Sequence, residues 1–419
     1  MNTISCGIDF GTSNSSIALA NQSKIELVPI EHHHTTIPSA LFFEHKTTVP
    51  HFGREAVDFF FSRKEGRFMR SLKRVLGTSV MKQGTLVNGK PMKFEQIIGA
   101  FLQNIKTKAD AKAETELLHV VMGRPVHFID NDDEGNIRAQ NELKNIAEQI
   151  GFKHIEFQFE PIAAAFAHET KIDGEKLAIV VDLGGGTSDF TVIRLSNKYV
   201  NKTDRASDIL ANTGVRIGGN DFDKELSLAA VMPEIGYRTT YGEKNLEVPP
   251  KLFNDLAEWS KVNFLYTTKI ISQTRQILHQ AHDKKRYGRL LQVLEQETGH
   301  SLLAFTEEAK IGLTLLNDYA ASLDFVQQGL EINISRKQFE EAIHNEIEKI
   351  SKSAMQCVQL ANVKSEQIEL VILTGGTTEV PAVQTEFRKL FPNASFADKN
   401  KLSSVGLGLA YDAINKFGG

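Results

Sequence analysis

The residues in this chain best suited to chemistry come as two copies of one pattern. The first copy reads Cys6-Gly7-Ile8-Asp9-Phe10-Gly11-Thr12-Ser13-Asn14-Ser15-Ser16. The second reads Ile179-Val180-Val181-Asp182-Leu183-Gly184-Gly185-Gly186-Thr187-Ser188-Asp189-Phe190. Each is an apolar run, an Asp, glycine with Thr and Ser, and a second apolar run. A strand entering, a tight turn and a strand leaving would place backbone N–H groups and hydroxyls at the turn. Glycine lets such a backbone approach phosphate oxygens closely. An Asp at the turn repels a polyphosphate unless a cation lies between them. Two facing copies therefore point to a nucleotide and Mg²⁺ clamped between two related lobes.

Composition sets the frame for those turns. A chain of 419 residues is too long for one simple core, so two lobes are expected. A net charge of −4 leaves no electrostatic footprint for nucleic acid or an anionic membrane. No apolar stretch has transmembrane length, and the N-terminus lacks the basic and apolar regions of a signal peptide. Cys6 and Cys357 both sit in apolar patterns and read as buried free thiols in a reducing compartment, so a cytoplasmic location is expected.

The elements that position the turns read as follows. Residues 3–30 form a meander around the first hairpin, and Ala40–Phe43 is a further strand. Residues 50–77 read as helical and basic, ending at Gly77. A helix covers about Phe94 to Lys112, a strand Leu117 to Met122, and a polar loop 130–136 precedes a helix reaching Ile150. Phe157–Phe159 is a short strand, and Glu160-Pro161 opens a helix with Pro at a favoured first-turn position. A second lobe starts at Leu177. Gly218-Gly219 ends a strand, and Asn220 is expected to cap the next helix. Residues 231–300 read as an inserted, mostly helical subdomain. An amphipathic helix covers roughly Arg336 to Ala361, Leu370–Leu373 is a buried strand, and a last helix begins near Ser404. His32-His33-His34 reads as a polar turn, because three consecutive residues cannot all face one ion.

Several segments in collinear order resemble the ATPase domain of the DnaK heat-shock chaperone family. They are the two turns, Ser71-Leu72-Lys73-Arg74-Val75-Leu76-Gly77, Phe159-Glu160-Pro161-Ile162-Ala163-Ala164-Ala165 and Gly218-Gly219-Asn220-Asp221-Phe222-Asp223. Glu307-Glu308-Ala309-Lys310-Ile311-Gly312-Leu313-Thr314, Leu373-Thr374-Gly375-Gly376-Thr377-Thr378-Glu379-Val380-Pro381 and Val405-Gly406-Leu407-Gly408-Leu409-Ala410 complete the series. Gly123-Arg124-Pro125, Phe157-Gln158-Phe159-Glu160-Pro161 and Arg216-Ile217-Gly218-Gly219-Asn220-Asp221 are most similar to its short YegD-like branch. The resemblance implies an α/β fold, the duplicated actin-like ATPase (ribonuclease-H-like) fold, with two lobes around a nucleotide cleft. Lobe I would be residues 1–172, with an inserted subdomain at about 38–93. Lobe II would be 173–400, with an insertion at about 226–306, and a C-terminal helix at 401–419 would return toward lobe I.

The same resemblance implies roles. Lys73, Glu160, Asp182 and Thr187 are the expected catalytic residues: Glu160 orients the attacking water, and Lys73 steadies it and the γ-phosphate. Gly11, Thr12, Ser13 and Asn14 from one turn, and Gly184, Gly185, Gly186 and Thr187 from the other, would hold phosphates. Gly218, Gly219, Glu307, Lys310, Thr314, Gly375, Gly376 and Glu379 would line the rest of the nucleotide site. Asp9, Asp182 and Asp189 would face Mg²⁺ through water, with K⁺ a further candidate cation. Two arginines that commonly sandwich adenine in the family fall on Ile311 and Glu379, which cannot supply a guanidinium stack.

The expected ligands are ATP or ADP and Mg²⁺, and an unidentified protein is the expected partner. The expected activity is slow ATP hydrolysis that switches conformation, without a peptide-binding domain, because the sequence stops after the last ATPase helix. A sugar-kinase-like phosphotransferase, a nucleotide-switched filament or scaffold, and a nucleotide-binding relic are the alternatives. A kinase would need an acceptor pocket, which the sequence does not display.

Overall fold

The computed structural model describes residues 4–21, 24–47, 49–62, 64–129, 132–169, 172–199, 202, 205–259, 261–397 and 404–418. The chain divides into two compact units. The first comprises Met1–Val215, Ser353–Thr378 and Arg388–Gly419; the second comprises Arg216–Lys352 and Glu379–Phe387.

The first unit contains two sheets built to one plan. In the first sheet, Ser5–Phe10 runs antiparallel to Asn14–Asn21 and parallel to His119–Arg124, which is parallel to His154–Phe159. In the second, Glu175–Leu183 runs antiparallel to Ser188–Ser196 and parallel to Leu370–Thr374, which is parallel to Ser395–Ala397. Each sheet thus has a hairpin whose first strand also takes a parallel neighbour. The central strands are buried on both faces, which explains their near-continuous apolar runs. Helices Glu160–Glu169 and Ser404–Phe417 share one apolar core with both sheets. Ala18 and Val121 from the first sheet, Val180 and Ile372 from the second, and Ala164 and Leu409 from the helices meet in it. A second core packs Ile8, Phe10 and Ile17 against helices Phe94–Ala113 and Asp133–Gln149.

The second unit holds helices Gly219–Leu226, Thr268–Gln280, Lys284–Glu295 and Gly299–Leu315, with two small antiparallel hairpins, Thr240–Tyr241 with Leu246–Glu247 and Asp318–Ser322 with Glu331–Ser335. Among the described residues, no helix is long and apolar enough to cross a membrane.

Four local expectations are corrected. Residues 50–77 are not one helix: Gly53–Phe61 is helical, Gly66–Arg70 is a strand paired with Ala40–Glu44, and Leu72–Val75 is a single tight turn of helix. Gly66 sits so close to Phe42 and the Phe43 carbonyl that a β-carbon there would clash, and the pairing with Ala40–Glu44 is what makes the segment a strand. Asn220 is not the cap of its helix. The helix starts at Gly219, and the Asp221 carboxylate accepts from the Gly218 N–H at 2.9 Å. The run 336–361 is two helices, Arg336–Ala342 and His344–Leu360, interrupted at Ile343, whose backbone leaves the helical region at φ −93°, ψ 3°. The polar loop expected at 130–136 is shorter: Asp130 and Asn131 lie outside the described residues, Asp132 accepts from the Gly135 N–H at 2.8 Å as the cap, and the helix already begins at Asp133.

Candidate functional site

The duplicated turns end at equivalent points of their sheets. Asp9 is the next-to-last residue of Ser5–Phe10, and Asp182 is the next-to-last residue of Glu175–Leu183. Each lies opposite a residue of its returning strand: Asp9 opposite Ser16, and Asp182 opposite Asp189. Two carboxylates directly across an antiparallel pair repel each other. The fold therefore carries an electrostatic cost at this spot.

The turns themselves are braced from behind by hydroxyls. Ser39 donates its backbone N–H to the Ser13 carbonyl at 2.8 Å and its hydroxyl to the Gly11 carbonyl at 2.7 Å. Ser15 and Ser39 also share a hydroxyl–hydroxyl bond of 2.8 Å. At the second turn, Thr377 donates to the Gly184 carbonyl at 2.9 Å, and the Gly184 N–H donates to the Thr187 carbonyl at 2.9 Å. Gly11 is required because a β-carbon would lie 2.1 Å from the Asn14 carbonyl oxygen. Gly375 adopts φ +83°, and a β-carbon there would strike the Leu183 carbonyl. Gly376 begins the short turn Gly376–Glu379.

Lys73 and Glu160 meet at these turns. Lys73 lies in the Leu72–Val75 turn, launched by Ser71 in the left-handed region at φ 59°. Such a conformation in a residue other than glycine is strained and is tolerated where position matters. Glu160 is the first residue of Glu160–Glu169, where the helix dipole favours a carboxylate. The Lys73 ammonium donates to Glu160 Oε1 at 2.5 Å, with Lys73 only 8% exposed. Burial works against the charge on Lys73, but Glu160, Asp9 and Asp182 hold it above the ordinary lysine range.

The acids bear the opposite strain. Burial, and then the charge of Glu160, push Asp9 up to about 7, with Lys73 opposing. Burial, then Asp189, Glu160 and Asp9, push Asp182 up to about 8. Glu160, Asp182 and Asp189 also border a cavity of about 30 Å³, with Pro125, Asn212 and Thr374 among its other walls. That is room for water beside the carboxylates.

Hard oxygen donors in this excess suit Mg²⁺ held through water, since Mg²⁺ dehydrates reluctantly and keeps several waters. Among the described residues, no group of three acids, histidines or cysteines closes around a point as a direct metal cage. Lysine is a poor substitute for a divalent ion, because its single charge leaves Asp9 and Asp182 titrating near neutrality.

The remaining residues singled out from sequence belong to the second unit. There Lys310 pairs with Asp223 at 2.8 Å and donates to the Gly219 carbonyl at 3.3 Å. Thr314 donates its hydroxyl to the Lys310 carbonyl at 3.0 Å, and Glu307 lies on the same helix, half-buried. Gly218 and Gly219 open the helix that carries Asp223. Glu379 opens the second segment of this unit, and Ile311 is exposed. The structure thus gathers Asp9, Lys73, Glu160, Asp182, Asp189 and both turns in the first unit, and Gly218, Gly219, Glu307, Lys310 and Thr314 in the second.

Two cations near the acids were missed from sequence. The Arg74 guanidinium lies 3.7 Å from where a side chain on Gly186 would begin, facing the second turn. Arg124 is wedged between the rings of Phe128 and Phe159, at 5.6 and 5.0 Å, and bonds to the Val126 and Pro125 carbonyls at 3.2 Å each and to Gln140. Its place in Gly123-Arg124-Pro125, at the end of a buried strand, was the available signal. Ser39 and Thr377 left none beyond being hydroxyls next to Pro38 and Gly376.

The sequence matches the family described as Hsp70 protein over residues 5–235 and 276–414. The chain belongs to the Hsp70 family. Its fold is the mixed α/β, actin-like ATPase fold of that family, and its class is that of nucleotide-binding, chaperone-type ATPases with adenine nucleotides as ligands.

Proposed function

We propose that this chain binds Mg·ATP at the paired turns, hydrolyses it slowly, and uses the loss of the γ-phosphate to change conformation. The observation that carries this reading is the Lys73–Glu160 pair set beside Asp9 and Asp182, both forced up by burial and like charge. Bound Mg²⁺ would supply the charge that keeps these acids ionised beside a polyphosphate.

The chain's own groups do the rest. Backbone N–H groups at Gly11–Ser13 and Gly185–Thr187 hold the β- and γ-phosphate oxygens, and Gly184 closes its turn through the Thr187 carbonyl. Glu160 orients a water and weakens its O–H bond. The water oxygen forms a bond to the γ-phosphorus as the bond from that phosphorus to the β-bridging oxygen breaks. The electron pair stays on ADP, and the water's proton leaves with the phosphate. Lys73 stabilises the charge that develops on the transferring group. Thr187 supports the same oxygens from the second turn, and Arg74 adds positive charge facing that turn.

The Gly123-Arg124-Pro125 and Phe157–Pro161 motifs support placement in the short YegD-like branch. Cys6 and Cys357, buried and unpaired, suit a reducing, cytoplasmic setting. The moving parts would be lobes at about 1–172 and 173–400.

Thermal denaturation with and without nucleotide tests the site. ADP with Mg²⁺ should raise the melting temperature, because a ligand bound only to the folded state stabilises it by mass action. ADP in EDTA should give a much smaller rise. Equal rises in both conditions would contradict the acids' role.

A further inference from the structure

The short strand that delivers Glu160 is held by a helix far away in sequence. Gln158 is 4% exposed and Asp412, on Ser404–Phe417, is 2% exposed. Gln158 Nε2 donates to Asp412 Oδ2 at 3.2 Å, while Gln158 Oε1 accepts from the Phe159 N–H at 2.9 Å. A carboxylate can only accept, so Asp412 dictates which end of the Gln158 amide faces it. The carbonyl end is thereby turned toward the Phe159 N–H, the peptide immediately before Glu160. One helical turn on, Lys416 pairs with Asp412 at 2.8 Å and donates to the Phe157 carbonyl at 2.9 Å. Backbone groups on both sides of Gln158 are thus tied to one turn of the last helix. Arg124 presses on the Phe159 ring from the neighbouring strand. The last helix is also seated on the Glu160 helix itself: a β-carbon on Gly408 would lie 1.8 Å from the Ala163 carbonyl oxygen.

We propose that Asp412, acting through Gln158, is a positioning residue for Glu160, and that the last helix sets where this carboxylate stands. The inference rests on the reading of Glu160 as the group that orients water. Burying a carboxylate and an amide together is costly unless every partner is met. Here the pair meets its partners by locking the strand-to-helix junction that presents Glu160. Misplacing a reacting group by about 1 Å costs up to about a hundredfold in rate, so the lock bears on turnover more than on nucleotide binding.

The test compares Gln158→Leu, Asp412→Leu and Asp412→Asn with the parent chain, using steady-state phosphate release across pH and calorimetric titration with ADP and Mg²⁺. The two leucine variants should lose roughly tenfold or more in kcat. Their KM for ATP and affinity for ADP should stay within about twofold, and the acid limb of the kcat profile should move. Asp412→Asn keeps an acceptor for Gln158 and should retain about half of kcat or more. Hydrogen exchange at the Phe159 amide should rise in the leucine variants. Parental kcat in Gln158→Leu overturns the proposal, as does a parallel fall in kcat and ADP affinity, or an Asp412→Asn as damaged as Asp412→Leu. Glu160→Gln is measured alongside. If it is inactive while Gln158→Leu is normal, the positioning role alone fails; if it is active, the reading of Glu160 falls, and the proposal with it.

Discussion

Asp9 and Asp182 are buried acids that the fold holds against their ordinary preference for charge. Their folded-state values, about 7 and about 8, lie well above the ordinary carboxylate value of 3.8. Between those limits the folded chain holds protons that the unfolded chain has released. Stability from these two groups is therefore present at low pH and is lost as pH rises through about 7 to 8. A cation reverses the balance, because it prefers both acids ionised and must displace their protons below that window. The melting temperature of the ligand-free protein should fall between pH 6 and pH 8 from this source. The rise on adding Mg²⁺ and ADP should be larger at pH 8 than at pH 6. Equal rises at both pH values would mean that these acids do not face the cation.

At the scale of elements, the close contacts are made by residues with no side chain. Gly408 lets the last helix lie against the backbone of Glu160–Glu169, with the Ala163 carbonyl where a methyl group would go. Gly408→Ala should cost about 3 kcal/mol, the upper range for overpacking a close contact, read as a lower denaturant midpoint at unchanged slope. An unchanged midpoint would show that the helices can separate freely. The hairpins and the Glu160 helix were legible in the sequence because their signals are local: Asp and Gly at a turn, apolar runs on either side, and Pro161 in a first turn. The strand Gly66–Arg70 was not, because only its pairing with Ala40–Glu44 makes it a strand. The hydrogen bond between Gln158 and Asp412 spans 254 residues, and no local pattern announces it. The braces on the turns, Ser39 and Thr377, were hidden for the same reason.

For the whole molecule, duplication is the organising fact. Two sheets of one plan carry two turns of one plan, and the helices Glu160–Glu169 and Ser404–Phe417 share a core with both. Under the proposed function, loss of a phosphate held by both turns would remove a link between the two hairpins and so turn a small chemical change into a conformational one. The claim beneath this account is that Lys73 and Glu160 act on a nucleotide's terminal phosphate. Steady-state phosphate release from ATP and Mg²⁺ tests it most directly, with the parent chain and Lys73→Ala measured side by side and ADP affinity checked for both. The account predicts slow release by the parent, a loss of roughly a hundredfold or more in Lys73→Ala, and ADP binding within a few-fold of the parent. Release by Lys73→Ala at the parental rate would contradict it.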